Sequence, residues 1–184
     1  LAWSPDGSTL YAGIDPAGLF ASDDRGANWR DVSALNEHAT RSAWEPSRGL
    51  FALHSICVDS HDPRHLVVAV SAGGVYRSVD AGASWSPAND GVRAENRPDR
   101  FPVAGHNVHR VIMHPHGRRL YRQCYNGTYR SDDGGRTWVE ITGGLDASAR
   151  VVASGGGFLS DGDTVRVVEG PAQAAAAPAV GAKK

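Results

Sequence analysis

One eight-residue pattern occurs three times along the chain, and it constrains the fold more than any other feature. Ser-x-Asp-x-Gly-x-x-Trp stands at Ser22, Asp24, Gly26 and Trp29, again at Ser78, Asp80, Gly82 and Trp85, and again at Ser131, Asp133, Gly135 and Trp138. An Asp side chain is short enough to fold back and accept backbone N–H groups within a turn, and Gly supplies the positive φ that such turns require. The Ser hydroxyl bonds backbone more weakly, and Trp gives the strand that follows a large apolar anchor. Each copy is preceded by a short strand-like run: Gly18 to Ala21, Gly74 to Arg77, and Gly127 to Arg130. The octet is therefore expected to be a self-bonded hairpin turn used as a repeated structural part.

From Ser22 to Ser78 is 56 residues and from Ser78 to Ser131 is 53. A period of this size built from short strands predicts a β-propeller, all-β, with four-stranded antiparallel blades. The expected divisions are a first blade over 1–35, a second over 36–91 and a third over 92–145, the last two each preceded by a loop insertion. Residues 146–169 read as part of a fourth blade, and 170–184, Ala-rich and without aromatics, as a disordered tail. Propellers close with 4–8 blades. Three blades and a fragment therefore predict a partial propeller, cut from a larger one in the preferred reading or else assembling with copies of itself, with exposed blade faces open to self-association.

The octet resembles the Asp-box of the bacterial neuraminidase repeat. The run from Trp44 through Leu53-His54, Ala72 to Arg77 and Gly105 to Arg110 on to Met113-His114-Pro115 is similar to bacterial sialidase-like and glycosyl hydrolase-like Asp-box proteins. The likeness covers about residues 1–145. It implies a propeller whose boxes lie on the outer rim, away from any active site. Sialidases of that family use an arginine triad, a Tyr–Glu nucleophile pair and an Asp acid/base. Their first arginine lies in a Phe-Arg-Ile-Pro-like segment, which this sequence lacks. A non-catalytic propeller module, itself a fragment, that binds a ligand or protein partner at its channel face is the preferred reading; the alternative is a fragment of a sialidase-like glycoside hydrolase.

Composition removes other classes. A net charge of −1 over 184 residues gives no footprint for nucleic acid, and no apolar run is long enough for a membrane-spanning helix. Cys57 and Cys124 sit in apolar strand-like runs and read as buried free thiols, which fits a reducing cytoplasm. No signal-like segment is present, and there is no Cys-x-x-Cys or Gly-rich phosphate loop.

The candidate site is built on histidine. His54 and His109 hold the same place in the first strands of the second and third blades, which line the channel. His106 and Arg110 stand beside His109, and Trp44 lies in the preceding insertion. Together they predict a concave site at the channel mouth for a carbohydrate-like or anionic ligand. A divalent metal at His54, His106 and His109 is the alternative, with no other cofactor expected. A plainer role, satisfying backbone groups beside the channel, stands next to both. Strand alternation is expected to send Ile56 and Val58 the same way as His54, Val111 and Met113 the same way as His109, and Arg110 to the opposite face. His61, His65, His114 and His116 fall in turns and His38 in a loop, all expected at the surface, and the insertions add Arg41, Glu45, Arg48, Arg93, Glu95, Arg97, Asp99 and Arg100.

Overall fold

The computed structural model describes residues 1–44, 51–94, 97–115 and 118–144. The fourth-blade fragment, the tail, Glu45, Arg48, Glu95 and His116 lie outside the described residues. The rest forms three four-stranded antiparallel sheets, each taken up in chain order. The first holds β1 (Ala2–Trp3), β2 (Leu10–Ile14), β3 (Gly18–Ser22) and β4 (Arg30–Asp31). The second holds β5 (Leu53–Val58), β6 (Leu66–Val70), β7 (Gly74–Ser78) and β8 (Ser86–Pro87). The third holds β9 (Val108–Met113), β10 (Leu120–Cys124), β11 (Gly127–Ser131) and β12 (Val139–Glu140). A short α-helix, α1 (Ser33–Asn36), follows β4, and one 3-10 turn, Arg41–Ala43, follows that.

The three sheets share one register: Leu10 opposes Ser22, Leu66 opposes Ser78, and Leu120 opposes Ser131. Alternation along each strand then sorts residues to two faces. Tyr11, Leu19 and Ala21 of the first sheet meet Leu66, Val68, Val70 and Tyr76 of the second in one core. Val67, Ala69 and Val75, on the other face of the second sheet, meet Val111, Leu120, Cys124 and Tyr129 in another. The middle sheet is covered on both faces, so all five residues of β6 are buried, while β10, covered on one, alternates. The described sheets do not close into a ring. Burying Leu66, Val68 and Val70 stabilises the first junction by about 1.5–3 kcal/mol per side chain.

The boxes are self-bonded as expected. In the third, the Asp133 carboxylate accepts the Ser131 hydroxyl at 2.8 Å, the N–H of Arg136 at 2.9 Å and Thr137 at 3.0 Å, and the Thr137 hydroxyl at 2.7 Å. Ser131 Oγ in turn accepts the N–H of Gly135 at 2.9 Å. Asp24 and Asp80 repeat this with Asn28 and Ser84 in place of Thr137. The residue before each Trp thus bonds the Asp through both backbone and side chain, a contribution the motif leaves unspecified. Gly26, Gly82 and Gly135 have φ of 91°, 87° and 86°, and Arg25, Ala81 and Gly134 before them are also left-handed. Bonds from Asn28 and Ser22 hold Asp24 down at about 2, and those from Thr137, Ser131 and Arg136 hold Asp133 at about 2 against the upward push of partial burial.

The box tryptophans differ in surroundings. Trp85 and Trp138 are 7% and 3% exposed, each covered by the sheet before it, and Trp138 Nε1 donates to Ala88 O at 2.8 Å. Trp29, in the first sheet, is 41% exposed. His65 also lies at a junction. It is buried, not at the surface, with Nδ1 3.2 Å from Asp59 Oδ2 and Nε2 2.9 Å from Gly134 O in the next sheet's box.

Candidate functional site

The innermost strands, β5 and β9, each carry one extra residue. In β5, Leu53 pairs with Val70 and Ser55 with Ala69, leaving His54 between them. In β9, Val108 pairs with Cys124 and Arg110 with Gln123, leaving His109. A bulge frees its extra residue from the alternation of the strand and re-aims the side chain. This overturns the expectation that alternation alone places the channel residues. Ser55 and Cys57 face β9, where Ser55 Oγ accepts the Val111 N–H at 3.2 Å and Cys57 Sγ lies 3.6 Å from Val111 O. Ile56 and Val58 face the first sheet's core. In a propeller the sheet faces meet other sheets and only the strand edge meets the channel.

His54 and His109 border one groove of about 740 Å³, together with Gly13, Leu53, Val111 and Arg110. Arg110 borders the groove as well, and its pairing with Gln123 puts it on the face opposite Val111 and Met113, as alternation predicts. His54 Nε2 donates across the junction to Val108 O at 3.0 Å, which leaves Nδ1 to accept the Ser55 hydroxyl at 2.9 Å. Both ring nitrogens are thus engaged. Loss of water around the ring pushes the His54 pKa below its ordinary value, with the charges of His109 and Arg110 acting the same way. The His109 ring makes an edge contact with Tyr125, centroids 6.3 Å apart, and stays exposed.

The other two candidates lie elsewhere. His106 is 3% exposed and its Nε2 donates to Pro102 O at 2.6 Å. Burial, and then the Arg122 guanidinium, push its pKa down to about 4. It borders a separate pocket of about 50 Å³ with Arg93, Arg97 and Tyr125. Trp44 is a core residue, 5% exposed, donating from Nε1 to Tyr76 Oη at 2.6 Å and covered by the Arg41 guanidinium 4.6 Å from its ring centre. An aromatic in a long insertion folds inward here because its ring completes the first junction.

Sequence reasoning missed Arg122, which is fully buried at the second junction. Its Nε donates to Cys124 Sγ at 2.8 Å and Nη1 to Asn89 Oδ1 at 2.8 Å, while Nη2 has no partner among the described residues. The signal was one Arg at the place held by Val68 in β6. The two cysteines are free thiols, and burial pushes Cys57 up to about 11. Among the described residues no three His, Cys, Asp or Glu side chains converge to hold a metal, and those bordering the groove include no carboxylate. What the groove offers is two exposed imidazoles, of which that of His54 has both ring nitrogens bonded, and one guanidinium.

The family model of the BNR/Asp-box repeat matches residues 129–140, the third box with its flanking strands. The chain carries Asp-box repeats. Among solved structures, an ancestral GH74 enzyme is 21% identical, with a TM-score of 0.55 over 79% of this chain and 18% of that one. That likeness gives the Asp-box chain the fold of propeller blades. The GH74 xyloglucanase from Xanthomonas campestris is 20% identical, with a TM-score of 0.42 over 74% of this chain and 28% of that one. The chain spans well under a third of either enzyme's length. No protein of curated function matches it.

Proposed function

We propose that this chain is a non-catalytic propeller module that binds a carbohydrate-like, anionic ligand at its channel face through His109 and Arg110. One observation carries the reading. The bulge in β9 sets an exposed imidazole beside a guanidinium on a groove of about 740 Å³, while the equivalent imidazole of His54, also exposed, has both ring nitrogens bonded. A guanidinium offers forked donors to a sugar carboxylate, and a neighbouring imidazole adds a donor or acceptor for hydroxyls. Glycoside hydrolysis commonly needs two carboxylates flanking the bond, and the described residues bordering the groove supply none. That favours binding over a fragment of a sialidase-like hydrolase.

Titration calorimetry with sialyllactose, oligogalacturonate and a neutral xyloglucan oligosaccharide tests this. An acidic sugar should bind the native chain and be lost in Arg110→Ala and His109→Ala, with melting unchanged. Equal binding of the neutral sugar, or hydrolysis of any of the three, would overturn the reading.

A further inference from the structure

A cleft of about 210 Å³ opens between the second and third sheets beside the third box, bordered by Arg77, Ser84, Ser86, Asp90 and Arg136 among others. Both of its walls lie among the described residues. Arg77 opposes Val67 on one side and Ser86 on the other, so the three share one face of the second sheet. Val67 packs that face against the third sheet. Arg136 enters from the third box. The two walls are tied together where Asp90 pairs with Thr137 and its carbonyl accepts the Trp138 N–H at 2.9 Å.

The fold does not need the two arginines. At the first junction Ala21 holds the place of Arg77 and Ala83 the place of Arg136, and Ala27 stands there in the first box. Their charges are also poorly met. Among the described residues neither guanidinium has a hydrogen bond or an ion pair, Asp90 included. Arg130, at the place of Arg77 in the third sheet, is by contrast paired with Asp132 at 2.9 Å. Burial, and then the Arg136 charge, push the Arg77 pKa below its ordinary value, with Asp133 acting against them and Arg118 with them. The Asp133 carboxylate is already taken up by the donors of its own turn. Two like charges brought to one cleft repel, and an anion between them turns that repulsion into two charge-assisted contacts.

We propose that this cleft binds a tetrahedral oxyanion, a phosphate or sulfate group, between Arg77 and Arg136, with the Ser86 hydroxyl as a third donor. Two guanidinium forks and a hydroxyl set on different walls need acceptor oxygens in more than one plane, which a tetrahedral group has and a carboxylate lacks. Ser84 adds no donor, because its hydroxyl is given to Asp80 Oδ2. Asp90 is the carboxylate on the border and weakens the site. The cleft is separate from the groove of His109 and Arg110, and it stands whatever that groove binds.

NMR titration of the isotope-labelled full chain tests this, following the backbone amides of Ser86 and Arg136 at constant ionic strength. The probes are inorganic phosphate, inorganic sulfate, a sulfated galactose and galacturonate. The tetrahedral anions should move both amides saturably, the free ions binding more tightly where the source is a free ion and the sulfated sugar where it is an ester. Arg77→Ala and Arg136→Ala should each weaken binding by roughly tenfold or more. Arg130→Gln, which removes the same charge at the corresponding place, should leave it unchanged, and Asp90→Asn should strengthen it. Each Ala variant takes the residue that another blade carries, so both should fold, with melting temperatures that hold or rise as the repulsion is relieved. No saturable shift, equal binding of galacturonate, or unchanged binding in either Ala variant would overturn the proposal. A fall in both melting temperatures would overturn it too, by showing that the arginines hold the junction.

Discussion

Acid should weaken this fold through His106 well before it reaches the carboxylates of the boxes. The ring is 3% exposed, and burial with the nearby Arg122 charge holds its pKa at about 4. An unfolded histidine titrates near 6.5. Below that value the unfolded chain takes up a proton that the folded chain refuses, so stability falls as pH falls, in full measure once pH reaches 4. From pH 7 to pH 4.5 the difference in proton uptake is worth about 2.4 kcal/mol at this one site. Urea unfolding of the native chain and of His106→Gln at both pH values isolates it. The variant loses the imidazole and keeps every other group, so the difference between the two pH losses should be about 2.4 kcal/mol, the native chain losing more. Equal losses would refute the argument, as would a His106 ring proton titrating near 6.5 by NMR in the folded state.

Two other substitutions test the parts around it. Asp133→Ala strands the N–H groups of Arg136 and Thr137, and should lower unfolding free energy by about 1–3 kcal/mol in urea, an effect fading in acid as pH falls from about 4 toward 2, where Asp133 itself protonates. Arg122→Met removes a buried guanidinium that has no carboxylate partner and one unmatched nitrogen; the midpoint should stay or rise, because Asn89 Oδ1 keeps the N–H of Val75 at 3.0 Å, and a loss above about 2 kcal/mol would show that the guanidinium holds the junction together.

What the sequence made legible follows how far each interaction reaches. The boxes were readable because Ser22, Asp24 and Asn28 bond one another within the octet, so the pattern contains its own cause. Strand order and period followed from repetition. Burial across junctions did not, because it depends on residues some 50 positions away. Identical tryptophans end at 41%, 7% and 3% exposure according to whether a sheet stands before them. His65 looked like a turn residue and is buried by the box at Gly134. Trp44 sat in a polar insertion and His106 just after one, both fold inward over the junctions, and charge content gave no sign of it. One clue was present: β6 reads Leu-Val-Val-Ala-Val and β10 reads Leu-Tyr-Arg-Gln-Cys, the difference between a sheet covered on two faces and on one.

The histidines show how one position in a repeat comes to serve two ends. His54 and His109 are the same residue at the same bulge, and the local backbone treats them alike. The next sheet makes the difference. β9 brings the carbonyl of Val108 within 3.0 Å of His54, and Ser55 then takes the other nitrogen, so this imidazole becomes a fastener between blades. At the position after His109 stands Arg110 in place of Ser55, too long to bridge back in the same way and carrying a charge that solvation or an anion must satisfy. The repeat therefore supplied a ring aimed at the channel, and the sheet that follows, together with the hydroxyl or charge at the next position, separates a structural bond from a binding group. Binding on this propeller is thus expected at blades where the strand-one bulge is followed by a charged residue, not wherever a channel histidine recurs.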